Sequence, residues 1–341
     1  MTAVEQGELG QTLQRFIDWA RGQGWRYAMM PYHLSHFGRF LTRRHVHSLA
    51  AVSTALLIDY QRELSATRNA FTVNGYVTSL RALWRYLHRQ ELVLENVAQG
   101  VTFLRQDYFV PHLYGQEELA LLERALRARI WRAGTSAHRF SRQTQWTAFS
   151  LLRDCGLRVS EACRLSLSDF DPMARTLRIE RTKFFKTRVI PLPRSTCRSL
   201  RQYLRHRLAL VAASSKPEAF FVSMGGHRLG RDALERPFLR LLRELGMYQP
   251  RRRQGRTVLG STNVHALRHS YAVRTLTRWQ QQGCDVERLL PLLSGYMGHA
   301  HVTYTKHYLH LTPTLRQLAS KRFADKVLPR LDHGHTLSED D

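Results

Sequence analysis

The sequence predicts a mainly α-helical protein with a small antiparallel β-sheet, divided into two domains. Three observations carry that expectation. The chain has 341 residues, and domains of about 100–200 residues make two the expected number. Apolar residues recur at helical spacing over most of its length. Period-two alternation, the mark of half-buried strands, is confined to the short runs 176–180 and 188–192.

The elements follow in order. Residues 1–105 read as a helical domain. Leu9, Leu13, Phe16, Ile17, Trp19 and Ala20 form one helical stripe, and Leu34, Phe37, Phe40 and Leu41 a second. Ser53 is an N-cap candidate for a helix holding Leu56, Leu57 and Tyr60. Val73, Tyr76, Val77, Leu80, Leu83, Trp84 and Leu87 mark another helix. Its Arg81, Arg85, His88 and Arg89 make a face that could lie on a phosphate backbone; each arginine alone reads as ordinary solvated surface. The stretch 103–115 breaks the periodicity and contains Pro111, which places a linker at 106–115.

The second domain is expected over 116–330. Helical pattern resumes at Gln116 and continues through Trp146 to Arg153, and Leu165–Asp171 is polar and turn-like. The two alternating runs flank a hairpin turn at Arg181–Thr187. A helix follows Pro193 to Ala213, then a short extended piece at Phe220–Val222, a turn at Gly225-Gly226 and a helix from Asp232 to Gly246. Residues 250–260 (PRRRQGRTVLG) read as a basic loop, mobile or DNA-facing. Helices are expected at His265–Gln282, Val286–Ser294 and Thr312–Val327, and residues 331–341 as a disordered polar tail.

Composition bounds the function. Lys and Arg number 52 against 27 Asp and Glu, a formal net charge of +25. The isoelectric point of 10.9 lies above the value of roughly 9 that flags nucleic-acid binders. Arginine predominates, and its planar fork suits bidentate phosphate contact. A lipid-binding, ribosomal or structural role is disfavoured because the bases are spread through patterned helices, not gathered in a tail. No apolar run of about 18 residues suggests a membrane span, and the N-terminus lacks a signal-peptide pattern. Cys155, Cys163, Cys197 and Cys284 include no C-x-x-C pair; buried free thiols in a reducing cytoplasm are expected, with neither a disulfide framework nor a structural zinc site.

Metal-free cleavage of a phosphodiester needs a nucleophile, cations for the nonbridging oxygens and an acid for the leaving oxygen. Four segments offer them. Arg158, in Cys155-Gly156-Leu157-Arg158-Val159-Ser160-Glu161, sits where one helix ends and another begins; it is equally a salt-bridged corner arginine. Lys183 and Lys186 project from the hairpin, where a lone lysine is usually just solvated. His265 and Arg268, at i and i+3, share a helical face, with His269 next. His299 follows Gly298, and Tyr308 lies nine residues on. Tyr304, one turn before Tyr308, could share its face. The histidines His299, His301, His307 and His310 lack the carboxylate or cysteine of a recognisable metal set. H-E-x-x-H is absent, and no close carboxylate cluster suits a two-metal nuclease.

Taken together and in this order, the Gly-Leu-Arg-x-Ser-Glu box, the lysine hairpin ending in Val-Ile-Pro-Leu, the His-x-x-Arg box, the Gly-His pair and the downstream tyrosine resemble the tyrosine recombinase family of phage integrases and Xer-type enzymes. The resemblance covers roughly residues 115–325, and the N-terminal part resembles the family's core-binding domain more loosely. It implies a two-domain clamp on a double-stranded DNA recombination site, with no metal, cofactor or ATP. Arg158 and Arg268 would hold the scissile phosphate, His265 and His299 assist by hydrogen bonding and proton transfer, and Glu161 support the site. Lys183, favoured over Lys186 by family spacing, would be the general acid. Tyr308, favoured over Tyr304 by its spacing from His299, would form a 3′-phosphotyrosine, followed by strand exchange through a Holliday junction. A tetramer on DNA, the last helix packing in cis or on a neighbour, and accessory recombinases or DNA-bending proteins are further implications. A type IB topoisomerase-like nicking enzyme and an inactive DNA-binding protein are the rival readings. The loop at 248–262 and Leu289–Tyr296 depart from the usual pattern and leave phage and transposon origins equally open.

Overall fold

A computed structural model describes residues 7–25, 29–180, 187–210 and 218–311. The hairpin lysines Lys183 and Lys186, the last expected helix and the tail lie outside the described residues. The chain divides into two compact units, Met1–Tyr108 and Phe109–Asp341, with the boundary inside the stretch read as a linker.

The first unit is built from α1 (Glu8–Gly22), α2 (Met30–Arg43), α3 (Thr54–Thr67) and α4 (Ala70–Arg89). Ser53 Oγ accepts from Leu56 N and Asn69 Oδ1 from Thr72 N, starting α3 and α4. The apolar stripes meet in one core, where Phe37, Tyr60 and Trp84 pack edge-on. Arg81 is not a free phosphate contact: it donates to Val101 O at 2.7 Å and stacks over Phe103, fastening the chain that leaves α4.

In the second unit, α5 (Gln116–Trp131) and α6 (Ser136–Cys155) replace the single helical run expected from 116 to 153. The break has a local cause: Gly134 disfavours helix, and Thr135 caps the new one by accepting from His138 N. After α7 (Val159–Arg164), the strands β2 (Phe170–Asp171), β3 (Thr176–Ile179) and β4 (Arg188–Pro191) form an antiparallel sheet. Leu177 pairs with Ile190 and Ile179 with Arg188; Leu177, Ile179 and Ile190 are buried while Arg178 and Val189 face outward. Residues 165–171 are less loop-like than their polarity suggests, because Leu165 and Phe170 enter the core. The helices α8 (Arg194–Leu210), α9 (Arg231–Glu244), α10 (Val264–Gln281), α11 (Val286–Met297) and the short α12 (Thr303–Lys306) complete the unit. Central α6 packs against α5, α8 and α10, so the unit has one main core with a satellite under α10 and α11.

Residues 250–260 are a β-hairpin, not an irregular loop. β5 (Arg252–Gln254) and β6 (Thr257–Leu259) turn at Gly255, whose φ is +55°, and β1 (Tyr108–Val110) joins β6. The expected linker is also packed. Tyr114 is buried, its N–H donating to Ser270 Oγ and its hydroxyl to Asn263 O. Three of the cysteines are buried thiols, whereas Cys284 is exposed. Among the described residues no helix is long and apolar enough to cross a membrane.

Candidate active site

Two helix ends build the site. α6 stops at Gly156, whose φ of +59° is left-handed. A Cβ there would lie 2.4 Å from Tyr271 Cδ1, so backbone and packing both require glycine. α11 stops at Gly298 with φ +67°, where a Cβ would lie 2.7 Å from Arg188 Nη1. The carbonyls at these ends, which a helix leaves unpaired, receive three arginines. Arg268 donates to Gly156 O and Met297 O, both at 2.6 Å. Arg158 donates to Gly298 O at 3.1 Å and Arg188 to Tyr296 O at 2.7 Å. The negative ends of the helix dipoles favour cations in these positions.

Glu161 ties the cluster together. Its carboxylate accepts from Arg158 Nη1 at 2.8 Å and from both terminal nitrogens of Arg188, at 3.2 and 3.0 Å. It also accepts from Arg158 N, capping α7. The side chain is wholly buried. Burial pushes its carboxyl up, but the Arg188 fork, the Arg158 N–H and the Arg268 charge outweigh that and bring it down to about 2. Two guanidinium groups thus pair with one carboxylate and the charge of a third, Arg268, acts on it, and the surplus positive charge is what a phosphate diester would neutralise. Arg268 is 2% exposed. Burial and then Arg158 lower its pKa to about 9, which leaves it charged at neutral pH.

The histidines and the sheltered tyrosine come from α10 and the segment after α11. Asn263 starts α10 by accepting from Ala266 N. His265 and His269, one turn apart, meet edge to face at 4.7 Å. His269 Nδ1 lies 2.8 Å from the Tyr308 hydroxyl. The His299 ring lies nearly parallel to that of Tyr308, 6.3 Å away, and its Nδ1 is held by Thr305 Oγ1 at 2.8 Å. Desolvation first, then neighbouring arginines and titratable groups, lower all three histidines: His265 to about 4 through Arg268 and Arg158, His269 to about 3 through His265 and Arg268, and His299 to about 3 through Arg268 and Arg158. All three are therefore neutral near pH 7, able to accept as well as donate. Burial raises the Tyr308 phenol above its ordinary value, opposed by Arg268 and Arg158.

Six sequence-expected residues converge here: Arg158, Glu161, His265, Arg268, His299 and Tyr308. Lys183 lies outside the described residues. Tyr304 and Tyr308 do not share a face. α12 ends at Lys306 and a 3-10 turn carries Tyr308 inward, so Tyr308 is 5% exposed and Tyr304 59%. Two participants were missed. His269 could have been found as the i+4 neighbour of His265. Arg188 opens β4, and its partner Glu161 is distant in sequence, so no local pattern reveals it. Among the described residues no group of three His, Cys, Asp or Glu is placed to hold a metal ion.

Known proteins resemble the chain in sequence and in fold. The model of the phage integrase family matches residues 135–314. A Sinorhizobium fredii protein named "Putative integrase/recombinase y4rB" is 33% identical over 317 residues, covering 92% of this chain and 96% of its own. The tyrosine recombinase XerC of Myxococcus xanthus is 28% identical, over 82% of this chain and 84% of its own. In fold, the chain is similar to the Tn1549 transposon integrase in complex with a circular intermediate DNA (TM-score 0.65, 17% identity, 91% of this chain and 99% of that one). It is also similar to the XerH site-specific recombinase in a post-cleavage complex with its difH substrate (TM-score 0.63, 20% identity, 84% and 77%). With its helix-end arginines gathered beside one sheltered tyrosine, the chain belongs to the phage integrase family of tyrosine recombinases.

Proposed function

We propose that this recombinase cuts and rejoins duplex DNA at a specific site, with Tyr308 as nucleophile. The observation that carries the reading is the sheltered Tyr308 hydroxyl, hydrogen-bonded to His269 Nδ1 beside Arg268 and the Arg158–Glu161–Arg188 cluster. Arg158 and Arg268 hold the nonbridging oxygens of the scissile phosphate. Their guanidinium groups are already oriented by carbonyls, so little reorganisation accompanies the gain of charge in the transition state.

Tyr308 Oη attacks phosphorus, a bond to the 3′-phosphate forms, and the bond to the 5′ oxygen breaks. The tyrosine proton passes to His269 Nδ1. Phosphate binding offsets the Arg268 charge, one of the influences that hold His269 neutral, which makes it a better base when it is needed. The Lys183 ammonium protonates the departing 5′ oxygen. His265 and His299 donate hydrogen bonds to the phosphate, His299 through Nε2 because Thr305 occupies Nδ1. The phosphotyrosine conserves the phosphodiester energy, and attack by a 5′ hydroxyl from a partner strand reverses the step, giving exchange through a Holliday junction in a tetramer. The N-terminal helical unit contributes phosphate and groove contacts on the same duplex.

A nicked suicide duplex carrying the cognate site tests the chemistry. Wild type should form a covalent adduct stable to denaturant and Tyr308→Phe should not. Two-site substrates then score exchange; religation without exchanged products would leave a nicking-closing enzyme instead.

A further inference from the structure

A second strongly basic feature lies away from the active site. A cleft of about 530 Å³ is lined by Arg175, Arg194, Arg198, Arg201 and Arg205. Within β3 and β4, Thr176 pairs with Pro191 at the cleft end, and Ile179 pairs with Arg188 at the active-site end. Three residues of strand, about 10 Å, separate the two ends. We propose that this cleft binds the sugar-phosphate backbone of a DNA segment other than the one at the active site.

Four of the arginines lie on one stripe of α8, at steps of four, three and four residues, and all four are exposed. The opposite face, with Thr196, Leu200 and Tyr203, is buried in the core. At 1.5 Å per residue the stripe spans about 16 Å, the axial length of about five phosphates of one strand. Arg175 closes the far wall from the turn between β2 and β3. Asp171 Oδ1 shapes that turn by accepting from Met173 N and Ala174 N. Leu192 N, donating to Arg175 O, ties it to the start of α8. Arg175 has a φ of +53°, a left-handed conformation that glycine adopts more easily, yet the position keeps a long cationic side chain. Among the described residues, no carboxylate forms a salt bridge with any of the five arginines; Arg201 donates to Pro172 O.

The lining separates a nucleic acid from a protein partner. Protein interfaces rest on buried apolar and aromatic anchors, and among the described residues the cleft lining offers none: Gln202 and His206 complete its polar wall and Cys197 its floor. Protein–DNA interfaces are more polar and far more positive.

The test uses the full chain. Arginine modification by phenylglyoxal is mapped by peptide mass spectrometry with and without saturating duplex DNA. Arg62 and Arg236, each more than three-quarters exposed, serve as surface controls, and Arg158 reports the active site. DNA should protect the cleft arginines several-fold more than the controls. Protection of Arg158 without the cleft overturns the proposal, as does stronger cleft protection by polyglutamate than by DNA, which would assign an acidic protein. In parallel, Arg198→Gln/Arg201→Gln/Arg205→Gln should lower the slope of log K against log salt by about 2.7, at about 0.9 per lost phosphate contact. Its covalent-adduct yield on the nicked duplex should stay at the wild-type level. A fall in adduct yield parallel to the fall in slope would place the cleft on the cleaved duplex and overturn the inference.

Discussion

Glu161→Gln removes one charge from a buried cluster while keeping the shape of the side chain and an oxygen for the α7 cap. Arg188 loses its bidentate partner, and Arg158 loses the carboxylate beside the carbonyl bond that positions it. Breaking one side of a buried ion pair costs about 3–5 kcal/mol. Proton linkage gives a second figure. The folded carboxyl sits at about 2 against an ordinary 4.5, and that difference converts at 1.36 kcal/mol per unit to about 3 kcal/mol. Because the folded value is depressed, this stability is present above pH 4.5 and disappears as pH falls towards 2. At 2–4 °C per kcal/mol for domains of 150–250 residues, Glu161→Gln should lower Tm at pH 7 by about 6–20 °C. Thermal melts followed by circular dichroism between pH 7 and pH 2.5 provide the assay. Wild type and variant should converge as pH falls. A variant melting within 2 °C of wild type at pH 7, or a gap unchanged down to pH 2.5, would refute the claim that Glu161 organises the arginines.

Three further outcomes are expected. His269→Phe should slow single-turnover adduct formation by about 10²–10⁴-fold, the usual range for an acid–base group, while equilibrium DNA binding stays within about threefold; an unchanged rate would remove His269 from proton transfer. In free enzyme His265, His269 and His299 are pushed down to between about 3 and 4, so the second-order rate of adduct formation should show no histidine inflection between pH 5.5 and 7.5. An inflection near 6.5 that His299→Gln abolishes would contradict their neutral state. Gly156→Ala combines a left-handed φ with a Cβ 2.4 Å from Tyr271 and should cost at least about 1–2 kcal/mol, read as a lower urea midpoint at constant m-value; an unchanged midpoint would show that the α6 corner relaxes freely.

What could be read from the sequence follows physical range. Ser53 is a local cap signal, and the strands 176–179 and 188–191 announced themselves because one of their faces is buried. The hairpin at 252–259 gave no such signal: Arg252, Arg253 and Gln254 are all exposed, so no alternation is imposed on them. Gly134-Thr135 carried a stop-and-cap signature that the continuous apolar pattern across 116–153 concealed. In the site, Arg158, His265, Arg268, His299 and Tyr308 were visible as ordered motifs. Arg188 and His269 act through partners far along the chain, Glu161 and Tyr308, and only the fold brings those pairs together. The choice between Tyr304 and Tyr308 depends on the turn after Lys306, which a helical-face argument does not anticipate.

The central claim is that Tyr308 is the residue joined to DNA. Peptide mapping of the trapped adduct by mass spectrometry tests it directly: nuclease-trimmed adduct from wild type should carry a 3′-phosphonucleotide on Tyr308 and none on Tyr304. A nucleotide on Tyr304, or an adduct of wild-type yield in Tyr308→Phe, would contradict the account.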